Sequence, residues 1–579
     1  MPPQPTVLTA GQAWRRPARH ARRSAQRLAS LALLLLGACA LPGLQLDLAA
    51  TAPLLGGYGQ ASMATGSPSV VAQQHFDQGL RQAYAFNEPE AVRMFKAALA
   101  ADPACALCAW GVAWQLGPNI NNTSREHQAA ALRYADLARR NAATTSALGR
   151  ALIDAMALRY GQDAGRPVPA PLLAEVCASP GTALAHPLDL AYAQRLHGLL
   201  QRWPDDAELL SLWAEAELVA TRGDMWGADG LPAGRLGELA DRLDAALAHQ
   251  PAHTGLNHYL VHVLDSSPTP QRALAAANRL GALAPASPHL VHMPSHIHVR
   301  VGQFAQATLE NQKALALDDT LAADLQRQGF ATSKDWRGHN LQFAWFAALM
   351  QGRGDLALQL ARRRAERAAS ASHIWAELSR SQPLLTLLRL QRWDAVMAEP
   401  VPASPFGLAL ALTSQARGTA LLQLGRAAEA RSALQQARAG AASVSAAHPG
   451  SGDDDILLRG MAQGAAESLA AQIALADGQP DAAVAAQLRA VALSKKADAT
   501  EPPLLGASAR PALGDVQLRV GQAQAAEATF RADLAAWPAS GWALRGLQRS
   551  LAAQGRQQEA QAVAADLQRD WPGADPALR

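Results

Sequence analysis

An all-α solenoid of stacked helix pairs is the fold class this sequence predicts, on three observations. Aromatic residues make up 5% of the 579 residues, and no run of valine, isoleucine and threonine alternates at period two, so nothing reads as a sheet. Small residues, a bulky residue and a closing proline recur with a spacing of 34 near the carboxyl end, and the same pattern opens the folded body. Two histidine pairs, His258 with His262 and His292 with His296, are each spaced i, i+4 and stand 34 residues apart, the length of one helix-pair repeat.

The first 38 residues hold six arginines (Arg15, Arg16, Arg19, Arg22, Arg23, Arg27) and no acid. An apolar run from Leu28 to Ala38 follows, ending in Leu36-Gly37-Ala38-Cys39. A basic start, a short apolar stretch and a small-residue cleavage site read as an export signal over residues 1–38. About eleven apolar residues are too few to cross a bilayer as a helix. The ending fits a lipobox, which makes Cys39 the lipidated first residue and gives a membrane lipid anchor on the periplasmic side of a bacterial envelope; an ordinary cleaved signal is the alternative. Residues 39–70, with Gly56, Gly57, Gly59, Gly66 and Pro68, read as a flexible tether. No later apolar segment of about 18 residues appears.

The formal net charge of +4 becomes −2 once the six arginines of the signal are set aside. The body carries no lysine and arginine cluster with interleaved aromatics, so nucleic acid is not an expected partner.

Residues 71–400 read as an N-terminal solenoid of tetratricopeptide repeats with a histidine-rich groove, and residues 401–579 as further repeats. In the first unit Gly79, Ala91, Phe95, Ala98 and Pro103 occupy the repeat's small, bulky and closing positions. Units from Thr254 to Ser287, from Pro288 to about Leu321 through Gly302, Ala307 and Ala314, and from Gly338 to about Ser370 through Gly352 and Ala357 form the centre. Gly418, Leu421, Ala430, Leu434 and Ala437 mark another unit, and Ala471, Gly478, Ala483 and Ala490 one more. Near the end, Gly514, Ala526, Phe530, Trp537 and Pro538 return 34 residues later as Gln548, Ala560, Ala564, Trp571 and Pro572. Residues 205–250 break the period because the loop from Thr221 to Arg235 is inserted between two helices.

Several strings resemble a family of bacterial tetratricopeptide proteins of exported type. They are His75-Phe76-Asp77-Gln78-Gly79 with Ala85-Phe86-Asn87, Asp102 to Cys108 with Trp110-Gly111, Gly117-Pro118-Asn119, Ala214-Glu215-Ala216, Asn257-His258-Tyr259 with His262, and His292-Met293-Pro294-Ser295-His296-Ile297. The resemblance covers roughly Val71 to Leu360 and departs at Asp265, where the family carries glutamate. It implies a tetratricopeptide fold and an envelope address, and it implies no activity.

The concave face of such a solenoid is lined by fixed places of each first helix, so residues of successive repeats line up in columns. One column holds Glu215, His262 and His296, a second Ser211, His258 and His292, and a third Glu208, Gly255 and His289, with His339 in that third column further along. Seven of the sixteen histidines fall within 46 residues. Imidazoles on neighbouring helices can share one ion, and a set of Glu215, His262 and His296, with His258 and His292 beside it, suits zinc or copper. Asp265 is placed to orient an imidazole, and His289 and His339 line the same groove. Two other readings stand beside metal binding: a polar groove for a peptide or small molecule, and a structural hydrogen-bond network. Pro294 is expected to kink the helix or open it, taking His292 off the shared face. His298 falls at a core position.

Cys105 and Cys108 form a CxxC at a repeat junction without a thioredoxin-like surround or a second pair, which favours packing, with a disulfide as an option in an oxidising compartment. Trp110, Trp114, Trp213 and Trp226 are of a type that can stack on a ligand, but the helical spacing of Trp110 and Trp114 reads as packing. No P-loop, G-x-S-x-G, H-E-x-x-H or dinucleotide fingerprint is present, so an enzymatic reading rests on the metal alone. The first functional expectation is a scaffold or adaptor that takes a protein or peptide ligand in its concave groove; the alternative is a zinc or copper protein or a metallohydrolase.

Overall fold

The computed structural model describes residues 51–163, 166–167, 186–221, 225–227, 229–332, 334–506 and 509–578; residues 1–38, expected to be an export signal, and Cys39 lie outside them. Helices follow one another along the chain, each packed on its sequence neighbours, as a tetratricopeptide-type solenoid. Among the described residues the only paired strands are the two-residue strands Gln162–Asp163 and Arg166–Pro167.

Local chemistry sets where the helices begin. Ser69, Ser146, Ser287 and Ser540 each accept a hydrogen bond from a backbone N–H of the first turn, relieving donors the helix leaves unpaired. Proline stands in the first turn of the helices Glu88–Ala101, Pro187–Leu199, Pro288–His292 and Pro480–Asp498, where its missing N–H costs nothing.

The repeat is recognisable as one packing unit used at both ends. A Cβ on Gly79 would stand 2.7 Å from the Phe95 ring and one on Gly111 2.6 Å from it, so the ring is gripped between glycines of its own first helix and of the next. Phe530 is gripped in the same way by Gly514 and Gly546, at 2.4 and 2.2 Å. No larger residue leaves the helices close enough for this contact. In the middle the period loosens, because Phe304–Arg327 runs for 24 residues, Ala427–Ala447 for 21 and Asp453–Ala476 for 24, against 14 in Glu88–Ala101.

The sequence gives residues 39–70 to a flexible tether, but the described part is a packed strap. The Leu54 N–H donates to Gln328 Oε1 at 2.7 Å, Gly57 O accepts from the Ala286 N–H at 3.0 Å, and the Gln60 N–H donates to Thr254 Oγ1 at 3.0 Å. The strap's own Tyr58 and Thr65 are buried against the helices. The glycines serve close approach here rather than freedom: a Cβ on Gly59 would stand 2.1 Å from Thr254 Oγ1.

The superhelix also closes on itself. The Arg93 guanidinium donates to Ala331 O at 3.2 Å and Lys334 pairs with Glu88 at 2.5 Å, which lays the first repeat against the segment before the helix Arg337–Met350. Trp571 Nε1 donates to Met350 O at 2.7 Å and Trp542 Nε1 to Leu349 O at 2.9 Å, docking the last repeats on the same helix. Trp345, Phe346, Trp537 and Trp571 share the resulting core. The central helices are thereby covered from both sides.

Candidate metal centre

Four helices under this cover supply six histidines. The helix Thr254–Asp265 carries His258, His262 and Asp265, and places three and four apart share one face. The next repeat begins with Pro288–His292, breaks at Met293, and resumes as Pro294–Arg300, because Pro294 cannot donate to the preceding turn. The break does not take His292 away from its partner: His292 Nε2 and His296 Nε2 are 3.0 Å apart. Arg337–Met350 contributes His339.

Two groups of three result. His258, His262 and His289 converge, with His258 Nε2 at 3.1 Å from both His262 Nε2 and His289 Nε2. His292, His296 and His339 form the second group. The groups abut, with ring centres 6.0 Å apart for His262 and His296 and 6.0 Å for His289 and His292. In a tetrahedral site with bonds of about 2.0 to 2.1 Å, ligand nitrogens stand about 3.3 Å apart, close to the spacing seen.

The outer nitrogens fix which way the inner ones face. His258 Nδ1 donates to Tyr84 O at 2.7 Å, and a carbonyl can only accept, so the proton is on Nδ1 and the Nε2 lone pair points inward. His292 Nδ1 donates to Asn311 Oδ1 at 2.6 Å; the Asn311 amide is oriented by its own donation to Ala307 O at 2.8 Å. His296 Nδ1 donates to Asp265 Oδ2 at 2.6 Å. His289 Nδ1 is buried without a partner.

Asp265 is itself held, its other oxygen accepting from Arg300 Nε at 3.1 Å. Glu501, from the segment before the helix Arg510–Arg519, reaches His296 Nδ1 at 3.6 Å and Arg300 Nη2 at 3.5 Å. Phenylalanine rings line both groups. Phe86 lies over His258 at 4.4 Å, His289 at 5.0 Å and His262 at 5.3 Å, while Phe343 meets His296 at 4.4 Å, His292 at 4.7 Å and His339 at 5.1 Å. Trp336 stacks on His289 at 4.3 Å. Phe86 adopts a left-handed backbone with φ 51°, a costly conformation for an aromatic residue, and this turn is what aims its ring at the histidines.

Burial keeps most of these imidazoles neutral. It pulls His258 and His339 down to about 3, in each case helped by the nearby His296 charge, with the Tyr84 carbonyl opposing it at His258. Burial and neighbouring imidazoles likewise hold His262, His289 and His292 well below the ordinary histidine range. At His296 burial acts in the same sense, but the Asp265 and Glu501 carboxylates outweigh it and raise the group to about 9. A proton therefore holds the space between His296 and His292 when nothing else does. Burial and the Asp265 charge push Glu501 up to about 7.

Glu215 stands apart from this cluster. Its Oε2 accepts from Trp114 Nε1 at 2.6 Å, and the carboxylate is buried near Arg159 and raised to about 7 by that burial. The column reading that sets Glu215 beside His262 and His296 does not hold, because its carboxylate is turned to Trp114 instead. His298 is buried and occupied by Glu310 at 2.8 Å and Asn278 at 2.9 Å. Cys105 and Cys108 form a disulfide. Trp110, Trp114 and Trp213 are core residues, and Trp226 Nε1 donates to Val263 O at 2.7 Å. The sequence reading gives no site role to Phe86, which it quotes only within a resemblance string, and does not single out Phe343, Asn311 or Glu501.

No protein family model matches the chain, and no curated protein matches it. Solved structures similar to it include the Cut9–Hcn1 hetero-tetramer of APC/C, with 13% identity over 90% of this chain and 77% of that one and a TM-score of 0.26. A human IFIT1 dimer with m7Gppp-AAAA is 11% identical over 87% of this chain and 91% of the other, with a TM-score of 0.32. Yeast Tom70 is 10% identical over 86% and 91%, with a TM-score of 0.26.

Proposed function

We propose that this protein is a metal-binding solenoid whose two histidine triads each hold one zinc or copper ion. The observation that carries the reading is the pair His292 and His296, whose Nδ1 atoms are both committed to oxygen acceptors while their Nε2 atoms face each other at 3.0 Å. A cation must lie between two nitrogens so placed: the His296 proton fills the gap in the metal-free chain, and a metal ion would take its place. The fit extends outward, since Tyr84 O, Asn311 and Asp265 orient the imidazoles as outer partners of metal ligands do. Elemental analysis of the full-length protein tests it: near two ions per chain are expected, and a metal-free chain after growth and purification with zinc and copper present would overturn it.

The same reading places the protein in the bacterial envelope, exported by residues 1–38 and anchored through Cys39. The Cys105–Cys108 disulfide supports this address, because such bonds persist in oxidising compartments.

A scaffold role is supported by a separate feature, a cavity of 660 Å³ inside the C-terminal repeats. Arg389, Arg519, Arg545 and Arg549 line it against Asp515, and both polar atoms of the buried Gln487 amide lack a partner. That lining suits an acidic segment of a protein partner. A glutamate-rich peptide is expected to bind with an affinity that falls with salt and is lost in Arg545→Glu; equal binding by the variant would exclude this cavity.

A further inference from the structure

The donors of the two triads are imidazoles alone, with no carboxylate or thiolate among the six. Six imidazole nitrogens face inward, while the nearest carboxylates, Asp265 and Glu501, lie on the outer side of His296 and are both engaged by Arg300. Two divalent ions would bring four positive charges into this buried space with no anionic ligand among the donors, and uncompensated buried charge is costly. Two cuprous ions bring half as many. Nitrogen sites also bind copper more tightly than zinc in the general order of affinities, and imidazole suits copper in both oxidation states.

The two triads are also built as a pair. Their rings approach to 6.0 Å at two places, so ions held by the two triads would be close neighbours. Phe86, Phe343 and Trp336 pack their rings against the histidines of both groups. A path remains open: four of the histidines are at most 4% exposed, whereas His262 of one triad and His339 of the other are partly exposed. Each site thus keeps one ligand at the mouth.

We propose that the triads act as one unit, a pair of copper ions that binds dioxygen between them; this rests on the two-site reading above. In the step, each Cu(I) gives one electron, the two ions become Cu(II), and dioxygen takes up both electrons to become a bridging peroxide. One oxygen–oxygen π bond is lost, two copper–oxygen interactions form, and no proton or outside reductant is needed. Release of dioxygen returns the electrons to the copper pair.

The test uses the full-length protein loaded with Cu(I) without air, its copper counted, and then exposed to dioxygen. Two coppers per chain are expected, with an intense near-ultraviolet absorption that appears on aeration and is absent from the zinc-loaded protein, and with an electron spin resonance signal far below that of two isolated Cu(II) ions. His339→Ala, at a partly exposed place that leaves the core intact, is expected to lose the absorption on aeration. Two coppers per chain with no new absorption, or with the full signal of two isolated ions, would overturn the paired centre and leave the two-site reading standing. A chain that takes up no copper or zinc would overturn both.

Discussion

His292 and His296 meet Nε2 to Nε2 at 3.0 Å across a helix break, each with its outer nitrogen held by an oxygen from another helix, Asn311 Oδ1 and Asp265 Oδ2, both at 2.6 Å. The relationship ties a chain feature to a chemical one. Pro294 splits the helix, the split keeps both rings on one side, and the acceptors from other helices settle where the protons are. Two imidazoles so arranged are preorganised to share a cation.

Asp265 orients and polarises His296, so removing its charge weakens the second triad and spares the first. Asp265→Asn is expected to release one of two ions about 10 to 100 times more readily. Chelator competition followed by metal counting would reveal it as a biphasic loss. Equal retention of both ions would show that Asp265 serves the fold alone.

Glu215 predicts a different outcome, because the structure gives it to Trp114. Its carboxyl is raised from 4.5 to about 7 by burial, against the Arg159 charge and the Trp114 N–H. The folded chain therefore keeps a proton that the unfolded chain gives up, and this contribution to stability falls as pH rises from about 4.5 to 7, by at most about 1.4 kcal/mol per unit. Glu215→Gln is expected to flatten that slope in denaturant midpoints measured across the window. Metal content should not change; loss of an ion in this variant would return Glu215 to the site.

The grip on Phe530 is a further test of the repeat packing. A Cβ at Gly546 would stand 2.2 Å from the ring, so Gly546→Ala forces a shift of backbone or ring at a cost of about 1 to 3 kcal/mol. The expected result is a lower unfolding midpoint with unchanged metal content. An unchanged midpoint would mean that the last repeats yield freely.

Much of this was legible in the chain. The 34-residue displacement of the histidine pairs brought the right helices side by side, and the glycines that grip Phe95 and Phe530 are the small residues from which the repeat was read. What stayed hidden depends on closure of the superhelix. Phe86 reaches the first triad from a turn more than 170 positions away, and Glu501 reaches His296 from more than 200, distances that no helix period encodes. Glu215 was misplaced because a column assigns a helix place and not a side-chain partner, and the partner that takes its carboxylate, Trp114, lies 101 positions away. The strap over residues 51–69 has the composition of a linker; its hydrogen bonds to Thr254 and Gln328 are tertiary and leave no local pattern.

The anchor reading has its own check. Cys39→Ala is expected to move the protein from the membrane fraction to the soluble periplasmic fraction and to abolish incorporation of labelled fatty acid, with the metal content unchanged. Continued fractionation with the membrane would contradict a lipid on Cys39.

The most direct test counts metal per chain in the full-length protein beside two double variants, His258→Ala/His262→Ala and His292→Ala/His339→Ala, all purified identically. Two triads predict about two ions in the parent and one in each variant, with the one that remains held by the untouched triad. No ion in any of the three, or a parent count that neither variant lowers, would contradict the account.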